Sequence, residues 1–350
     1  MSLKVKILLV LNLLLCAAMA MSYLSPTIDP QEHWIFSFFG LMYPIFVLLQ
    51  LGFMAIWLFT DLKMALIPLA TIAVGYQNLS HYFAFHNKPP NKDPHDISVV
   101  SFNISNALEA YDRQTDRKAE KLAKMEAFLK RFGDEDVICM QEVGAYASDL
   151  IKKNFKHYQI HKFSKGAVIL SRHKMIKKGQ IEFGTRTNSC LWADVVIDTD
   201  TLRIYSIHLQ SNRITDVTNE VLNTESFDQD KTWDGILNIV KRYRYHHKAR
   251  SVQAKIVKEH ISLSPYPVLV CGDFNDVPMS YTYHHMQEGL VDAYKTKGSG
   301  LGSTFNGKIP FLRIDYILAH PSLKVSKFNV IRENYSDHFP IAALYSLPKV

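Results

Sequence analysis

Up to His86 the chain carries only six charged side chains, Lys4, Lys6, Asp29, Glu32, Asp61 and Lys63. So long an apolar stretch has to be buried in a core or in lipid, and it divides into three runs, 5–24, 34–60 and 64–85. At 1.5 Å per residue a helix of about twenty residues crosses the ~30 Å hydrocarbon layer. A cleaved signal peptide competes for the first run, since Ala18-Met19-Ala20 resembles a cleavage site. Removing it would still leave the second run, which is uncharged and bracketed by Trp34 and Trp57 as an interfacial belt would be. The third run contains Pro68, Gly75, Gln77, Asn78, Ser80 and His81; it reads as a kinked span or as a helix lying on the membrane surface. Lys4, Lys6 and Lys63 on one side, with no lysine or arginine in 25–33, put the amino terminus inside. Three crossings would then place the rest of the chain on the extracytoplasmic side of a bacterial inner or plasma membrane, and two would leave it in the cytoplasm.

Residues 87–95, with Pro89, Pro90 and Pro94, cannot continue a helix and form a short stiff tether. From 96 to 350 the composition is that of a soluble domain, and only four of the forty basic and three of the thirty-three acidic side chains fall in residues 1–90. The formal charge of +7 therefore sits mostly on this domain; it suits anionic partners such as nucleic acid, phosphorylated metabolites or acidic headgroups, and mere solubility equally well. Cys139, Cys190 and Cys271 lie in core-like runs and Cys16 in the first apolar run, with no Cys-x-x-Cys spacing, which argues against disulfides and structural zinc. Short β-favouring runs (97–102, 136–140, 167–170, 191–197, 202–207) alternate with amphipathic stretches (116–132, 147–155, 231–261), an α/β pattern. A polar insertion covers 212–230.

The chemistry gathers where strand-like runs end. Val268-Leu269-Val270-Cys271 stops at Gly272 and then presents Asp273, Asn275 and Asp276. Asp273 and Asn275 alternate toward one side, and a carboxylate beside an amide can align a water and hold a charged oxygen. Asn103 closes 99–103; by itself it reads as a turn residue. Glu142 closes 137–142 among apolar neighbours, where an unpartnered carboxylate is costly and a cation is a sensible companion. His208 ends another run, where a lone histidine is usually structural. Near the carboxyl end come Asp315 and Ser336-Asp337-His338; adjacent Asp337 and His338 cannot stack, so Asp315 is the natural group to orient His338.

Taken in order, Ser101-Phe102-Asn103, Met140-Gln141-Glu142-Val143, Ile207-His208-Leu209, Gly272-Asp273-Phe274-Asn275, Arg313-Ile314-Asp315-Tyr316 and Ser336-Asp337-His338 resemble the endonuclease/exonuclease/phosphatase superfamily of DNase I-like phosphoesterases over residues 96–350. The resemblance implies a four-layer α/β/β/α sandwich with its site at the strand ends on one edge, and a divalent cation, usually Mg2+, with Mn2+ as a substitute. It implies Glu142 as metal ligand helped by Asn103, with Asp337 near the metal or its waters. Asp273 would position or deprotonate the attacking water, Asn275 would steady the phosphorus, and His338, oriented by Asp315, and His208 would face the phosphate. Where some members carry an acid two positions after the first asparagine, this chain has Ser105, which weakens an abasic-site reading.

Arg172 either meets a phosphate or caps the surface. The basic aromatic run 241–248 is a nucleic-acid or lipid-headgroup contact, or a solvated helix face. His246-His247 and His284-His285 are read as structural or surface pairs, because adjacent helical residues diverge by about 100°. The expected activity is therefore a membrane-tethered phosphoesterase acting on a phosphate ester, with a phosphodiester in nucleic acid or a phospholipid favoured and no obligate protein partner. The competing class is a non-catalytic module that binds anionic ligands on the same scaffold; Mn2+ failing to bind at Glu142 would favour it.

Overall fold

The computed structural model describes residues 2–86, 96–110, 118–163, 166–185, 187–211, 229–307, 309 and 311–347. The tether 87–95 and most of the expected insertion, 212–228, lie outside the described residues. Two helices, α1 (Leu3–Leu24) and α3 (Ile35–Thr60), are joined through the short α2 (Pro30–His33). Both are long and apolar enough to cross a membrane. Their buried polar groups satisfy one another: Asn12 Nδ2 donates to Gln50 Oε1 (2.9 Å) and Trp57 Nε1 donates to Asn12 Oδ1 (3.0 Å).

The third apolar run is not one helix. It breaks into α4 (Leu66–Val74), α5 (Tyr76–Leu79) and the strand β1 (Phe83–Phe85). Pro68 falls in the first turn of α4, where its missing N–H costs no hydrogen bond, and Gly75 separates the two helices. The segment climbs back beside α1 and α3: Thr71 Oγ1 lies 3.2 Å from Cys16 Sγ, Tyr23 Oη donates to Thr71 O (2.8 Å), and Tyr43 Oη donates to Gly75 O (3.4 Å).

The second unit contains β2 (Asp96–Asn103), α6 (Lys118–Lys130), β3 (Val137–Gln141), α7 (Ala145–Asn154), β4 (Gln159–Lys162), β5 (Val168–Ser171), β6 (Lys174–Glu182), β7 (Ser189–Ile197), β8 (Asp200–His208), α8 (Gln229–Ser262), β9 (Val268–Asp273), α9 (Tyr281–Gln287), β10 (Val291–Asp292), α10 (Ala293–Lys297), β11 (Ser299–Leu301), β12 (Asp315–Ala319), β13 (Lys324–Val330) and β14 (Ile341–Ser346). Two six-stranded mixed sheets, in orders β13-β14-β2-β3-β5-β4 and β10-β12-β9-β8-β7-β6, face one another. Strand alternation explains the layering. Val99, Cys139, Ile204, Leu269, Cys271 and Ile317 fill the space between the sheets. Their neighbours Val100, Ile138 and Met140 pack outward with Met125, Phe128 and Ile151 of the helical layer, while Val268 and Val270 meet Val257 and Met286 on the other side. Both faces of each sheet are covered, giving the expected α/β/β/α sandwich.

The amino-terminal helices seat on this sandwich. Asp29 pairs with Lys255, Lys248 Nζ donates to Gln31 O (2.7 Å), Gln31 Nε2 donates to Ser251 Oγ (3.0 Å), and Arg313 Nη1 donates to His81 O (3.0 Å). At Gly40 the backbone of α3 comes so near Met279 that an added Cβ would collide with its carbonyl oxygen.

Candidate functional site

Strand register brings the distant carboxylates and imidazoles into one row. In parallel β8 and β9, His208 stands opposite Asp273; in antiparallel β9 and β12, Asp273 stands opposite Asp315. In the facing sheet Asn103 stands opposite Gln141, the residue before Glu142. Asp273 is two residues beyond Cys271, Asp315 two before Ile317 and His208 four beyond Ile204, so all three share the inter-sheet face of those core residues. The polar row is the open end of the hydrophobic core.

Two residues leave their strands in the left-handed region, Glu142 at φ 54° and Asn275 at φ 53°. Side chains other than glycine rarely adopt it, and such strain gathers at functional sites. It turns both side chains off the ends of β3 and β9 into one cleft, which Glu142, Asn275, Asp337 and His338 line. Gly272, at φ 147°, is required where it stands, because a Cβ would strike the carbonyl oxygen of Ile207 on β8.

Asn103 ties the two sheets together at this point. Its Nδ2 donates to Glu142 Oε1 (3.1 Å) and to Asp273 Oδ2 (3.0 Å), while its Oδ1 accepts from Ser105 N–H (3.0 Å). Its amide nitrogen thus faces both carboxylates and links Glu142 to Asp273. Asp273 is held further by Asn275, whose N–H donates to Oδ1 (2.7 Å) and whose Nδ2 donates to Oδ2 (3.1 Å) and to Leu209 O (3.0 Å). His338 Nδ1 lies 2.9 Å from Asp315 Oδ2, and its Nε2 is 3.7 Å from Asp273 Oδ2. His208 is buried with both ring nitrogens lacking a hydrogen bond, and its Nε2 is 3.4 Å from Glu142 Oε1.

Burial and neighbours set the charges. Burial pushes the Asp273 carboxyl up, to about 6, with the Asp315 charge adding to the rise while His338 and His208 oppose it. For His338, burial favours the neutral ring, but Asp315 and then Asp273 outweigh it and push the imidazole up to about 10. At neutral pH the row thus holds a carboxylate able to accept a proton beside an imidazolium able to give one.

Glu142, His208 and Asp273 present ligand atoms within 4.8 Å of one another, as do Asp273, Asp315 and His338. The first group fits a divalent cation best: the Glu142 side chain is 40% exposed toward the cleft, the His208 nitrogens make no hydrogen bond among the described residues, and carboxylate oxygens suit Mg2+ or Mn2+.

Asp337 is exposed on the cleft rim, where its Oδ1 accepts from Ser336 Oγ (3.2 Å). Arg172 is not brought to the cleft. It follows Ser171, which pairs with Val137 at the opposite end of β3, and it donates to Asp134 O (3.0 Å). Of the histidine pair 246–247, His247 is buried in the cleft wall with its Nδ1 3.6 Å from Asp276 Oδ2. Leu41 of α3 lines the same cleft. Neither spacing nor charge marks Leu41 in the sequence, because its place depends on how α3 docks.

A model of the Endonuclease/Exonuclease/phosphatase family matches residues 100–338, and one of a domain of unknown function (DUF8431) matches residues 5–82. No curated protein matches the chain. Among solved structures, D. rerio TDP2 complexed with single strand DNA product is 18% identical, with 72% of this chain and 99% of that one covered and a TM-score of 0.52. An endonuclease/exonuclease/phosphatase family protein from Bacteroides thetaiotaomicron is 18% identical over 75% of this chain and 100% of that one, with a TM-score of 0.53. A mannosyl-6-phosphatase from the same species is 18% identical over 71% and 99%, with a TM-score of 0.51. At such identities these likenesses speak to the fold alone. The family model, however, spans more than half of the sequence and every strand end that bears the polar row, and on that match the chain belongs to the Endonuclease/Exonuclease/phosphatase family.

Proposed function

We propose that this protein is a membrane-anchored, Mg2+-dependent phosphoesterase that hydrolyses a phosphate ester, with a diester favoured, by in-line attack of water. The observation that carries the reading is the convergence of Asn103, Glu142, His208, Asp273, Asn275, Asp315 and His338 from both sheets on one cleft. Asp273, fixed by three donors, orients the water and takes its proton. His338 stays protonated against Asp315 and offers a proton to the departing oxygen. His208, whose ring nitrogens make no hydrogen bond among the described residues, donates to a non-bridging oxygen. For Asn275 to do the same, its amide must exchange Asp273 for phosphate. A divalent cation held by Glu142, with Asp273 and His208 in reach, would stabilise negative charge on the phosphoryl oxygens. Asn103 keeps the two carboxylates in register, and Asp337 stands at the rim for waters or substrate.

The seating of the amino-terminal helices supports an extracytoplasmic site. The loop between the two long helices contacts the catalytic domain through Asp29 and Gln31, while Lys4, Lys6 and Lys63 belong to the far ends of the helices. The test is turnover by the full-length protein in detergent of DNA, RNA, phospholipid and small phosphoesters, with Mg2+, with Mn2+ and with chelator. Asp273→Asn is expected to keep the fold and lose about a thousandfold in kcat. Absence of Mg2+- or Mn2+-dependent turnover across the whole panel would overturn the reading.

A further inference from the structure

We infer that the site draws its substrate from the bilayer: the phosphate ester is the headgroup of a membrane lipid, whose acyl part lies along α3. The inference rests on the phosphoesterase reading and narrows its substrate class. One wall of the cleft that contains Glu142, Asn275 and His338 is Leu41, a residue of an apolar helix long enough to span a membrane. The wall is fixed. The neighbouring Gly40 touches the Met279 backbone so closely that no side chain fits, and Tyr43, Met19 and Met279 form a buried cluster one turn further on.

From Leu41 the same face of α3 continues with Ile45 and Leu48, at the i+4 and i+7 spacing that stacks side chains in one stripe. Ile45 is 46% and Leu48 56% exposed. At 1.5 Å per residue they carry an apolar track about 6 and 10 Å away from the cleft toward the middle of the helix. Inside the cleft, Phe305, Leu312 and Ile314 extend the apolar surface to His338. One side of the cleft thus holds a phosphate and the other a hydrocarbon chain.

A nucleic-acid strand asks for something else, a basic track along its backbone. The described lining residues include no lysine or arginine. On α8 the exposed cations Lys241, Arg242 and Arg244 stand among exposed Leu237, Val240 and Tyr245. That mixture is typical of a helix resting on anionic headgroups. The same helix packs against α3, with Tyr243 edge-on to Phe38 at 6.0 Å between ring centroids.

The test reconstitutes the full-length protein in phosphatidylcholine vesicles containing phosphatidic acid or phosphatidylglycerol. Hydrolysis of these lipids is compared with that of bis(p-nitrophenyl) phosphate and a single-stranded oligonucleotide, all with Mg2+. At least one lipid is expected to exceed both soluble substrates in kcat/KM, and Ile45→Lys or Leu48→Lys to lower the lipid-to-soluble ratio by about tenfold or more. In the wild-type protein, which needs no variant to fold, phosphatidic acid with a photoreactive acyl chain is expected to label the peptide containing residues 41–48. Preference for the oligonucleotide, hydrolysis of the soluble esters but of neither lipid, equal loss of both activities in the variants, or no labelling of that peptide would overturn the inference while leaving the phosphoesterase reading intact. Failure on every substrate would sink both.

Discussion

His338 and His208 are partnered differently at the strand ends, and in the proposed mechanism that difference divides their work. Asp315 fixes the ring of His338 from behind, whereas neither ring nitrogen of His208 makes a hydrogen bond among the described residues. Asp315→Asn is therefore expected to lower kcat by about a hundredfold or more while leaving KM nearly unchanged, because the variant loses the anion that keeps His338 charged and oriented. Steady-state kinetics on a soluble diester would check it, and equal change in KM would point to lost substrate binding instead. Gly272 bears on the fold itself. Gly272→Ala places a Cβ against the Ile207 carbonyl at a φ that alanine rarely adopts, so the pairing of β8 with β9 must open. A cost of about 3 kcal/mol, read as a thermal midpoint lowered by about 5 °C or more, is expected. The polar residues of the site were legible in the sequence because each closes an apolar run, where a buried carboxylate or imidazole needs a reason. Leu41 and His247 were not, since a leucine in an apolar helix and a histidine in a basic helix match their local surroundings. Only the docking of remote elements makes them cleft residues.

The strands that carry the site were legible for the same physical reason as its residues. β2, β3, β8 and β9 are buried throughout or nearly so and read as apolar runs. β6 did not register in the sequence: Lys174–Glu182 is mostly exposed at the edge of its sheet, and its lysines, which keep an edge from pairing with another chain, also mask the strand pattern. In the third apolar run Gly75 marks the break between α4 and α5, in keeping with the kink its sequence suggests, whereas the pairing of Phe83–Phe85 with β11 depends on a distant strand that hydropathy does not register. At the end of the sheet opposite the cleft, Asp136 joins three elements, accepting from Ser98 N–H at the start of β2 (2.9 Å) and lying 2.7 Å from His173 Nε2 just before β6. Burial would raise its carboxyl, but the His173 and Ser98 hydrogen bonds outweigh this and hold it down at about 2. Against an unfolded value of about 3.9, the lowered folded pKa gives a contribution that is complete above about pH 4 and is lost as pH falls through about 2. Asp136→Asn is thus expected to cost about 1 kcal/mol at neutral pH, with the gap to the wild type closing between about pH 4 and pH 2. Denaturant melts at a series of pH values would show it, and a gap that persists at about pH 2 would refute the linkage.

At the scale of the whole molecule, the proposed side of the membrane is supported by chain path rather than by counting apolar runs. If only α1 and α3 crossed, the catalytic domain would emerge beside Lys63, and the loop between those helices would lie on the other face of the bilayer. That loop instead touches α8 through Asp29 and Gln31, so loop and domain share a face. On the proposed extracytoplasmic placement the chain between Thr60 and Phe83 returns to that face, running beside α1 and α3 through the contacts of Thr71 and Gly75. With Lys4, Lys6 and Lys63 inside, as the proposed orientation has them, the domain lies outside. Cysteine labelling can test this with little background, because Cys139, Cys190 and Cys271 are buried and Cys16 is half-buried between helices. In intact cells, or spheroplasts if an outer envelope intervenes, a membrane-impermeant thiol reagent is expected to modify Lys324→Cys, on the exposed start of β13, and to spare Lys63→Cys until the membrane is permeabilised. The reverse pattern would put the domain in the cytoplasm. Labelling of both before permeabilisation would mean that the turn after α3 never reaches the far side, and that the helices rest on the membrane without crossing it.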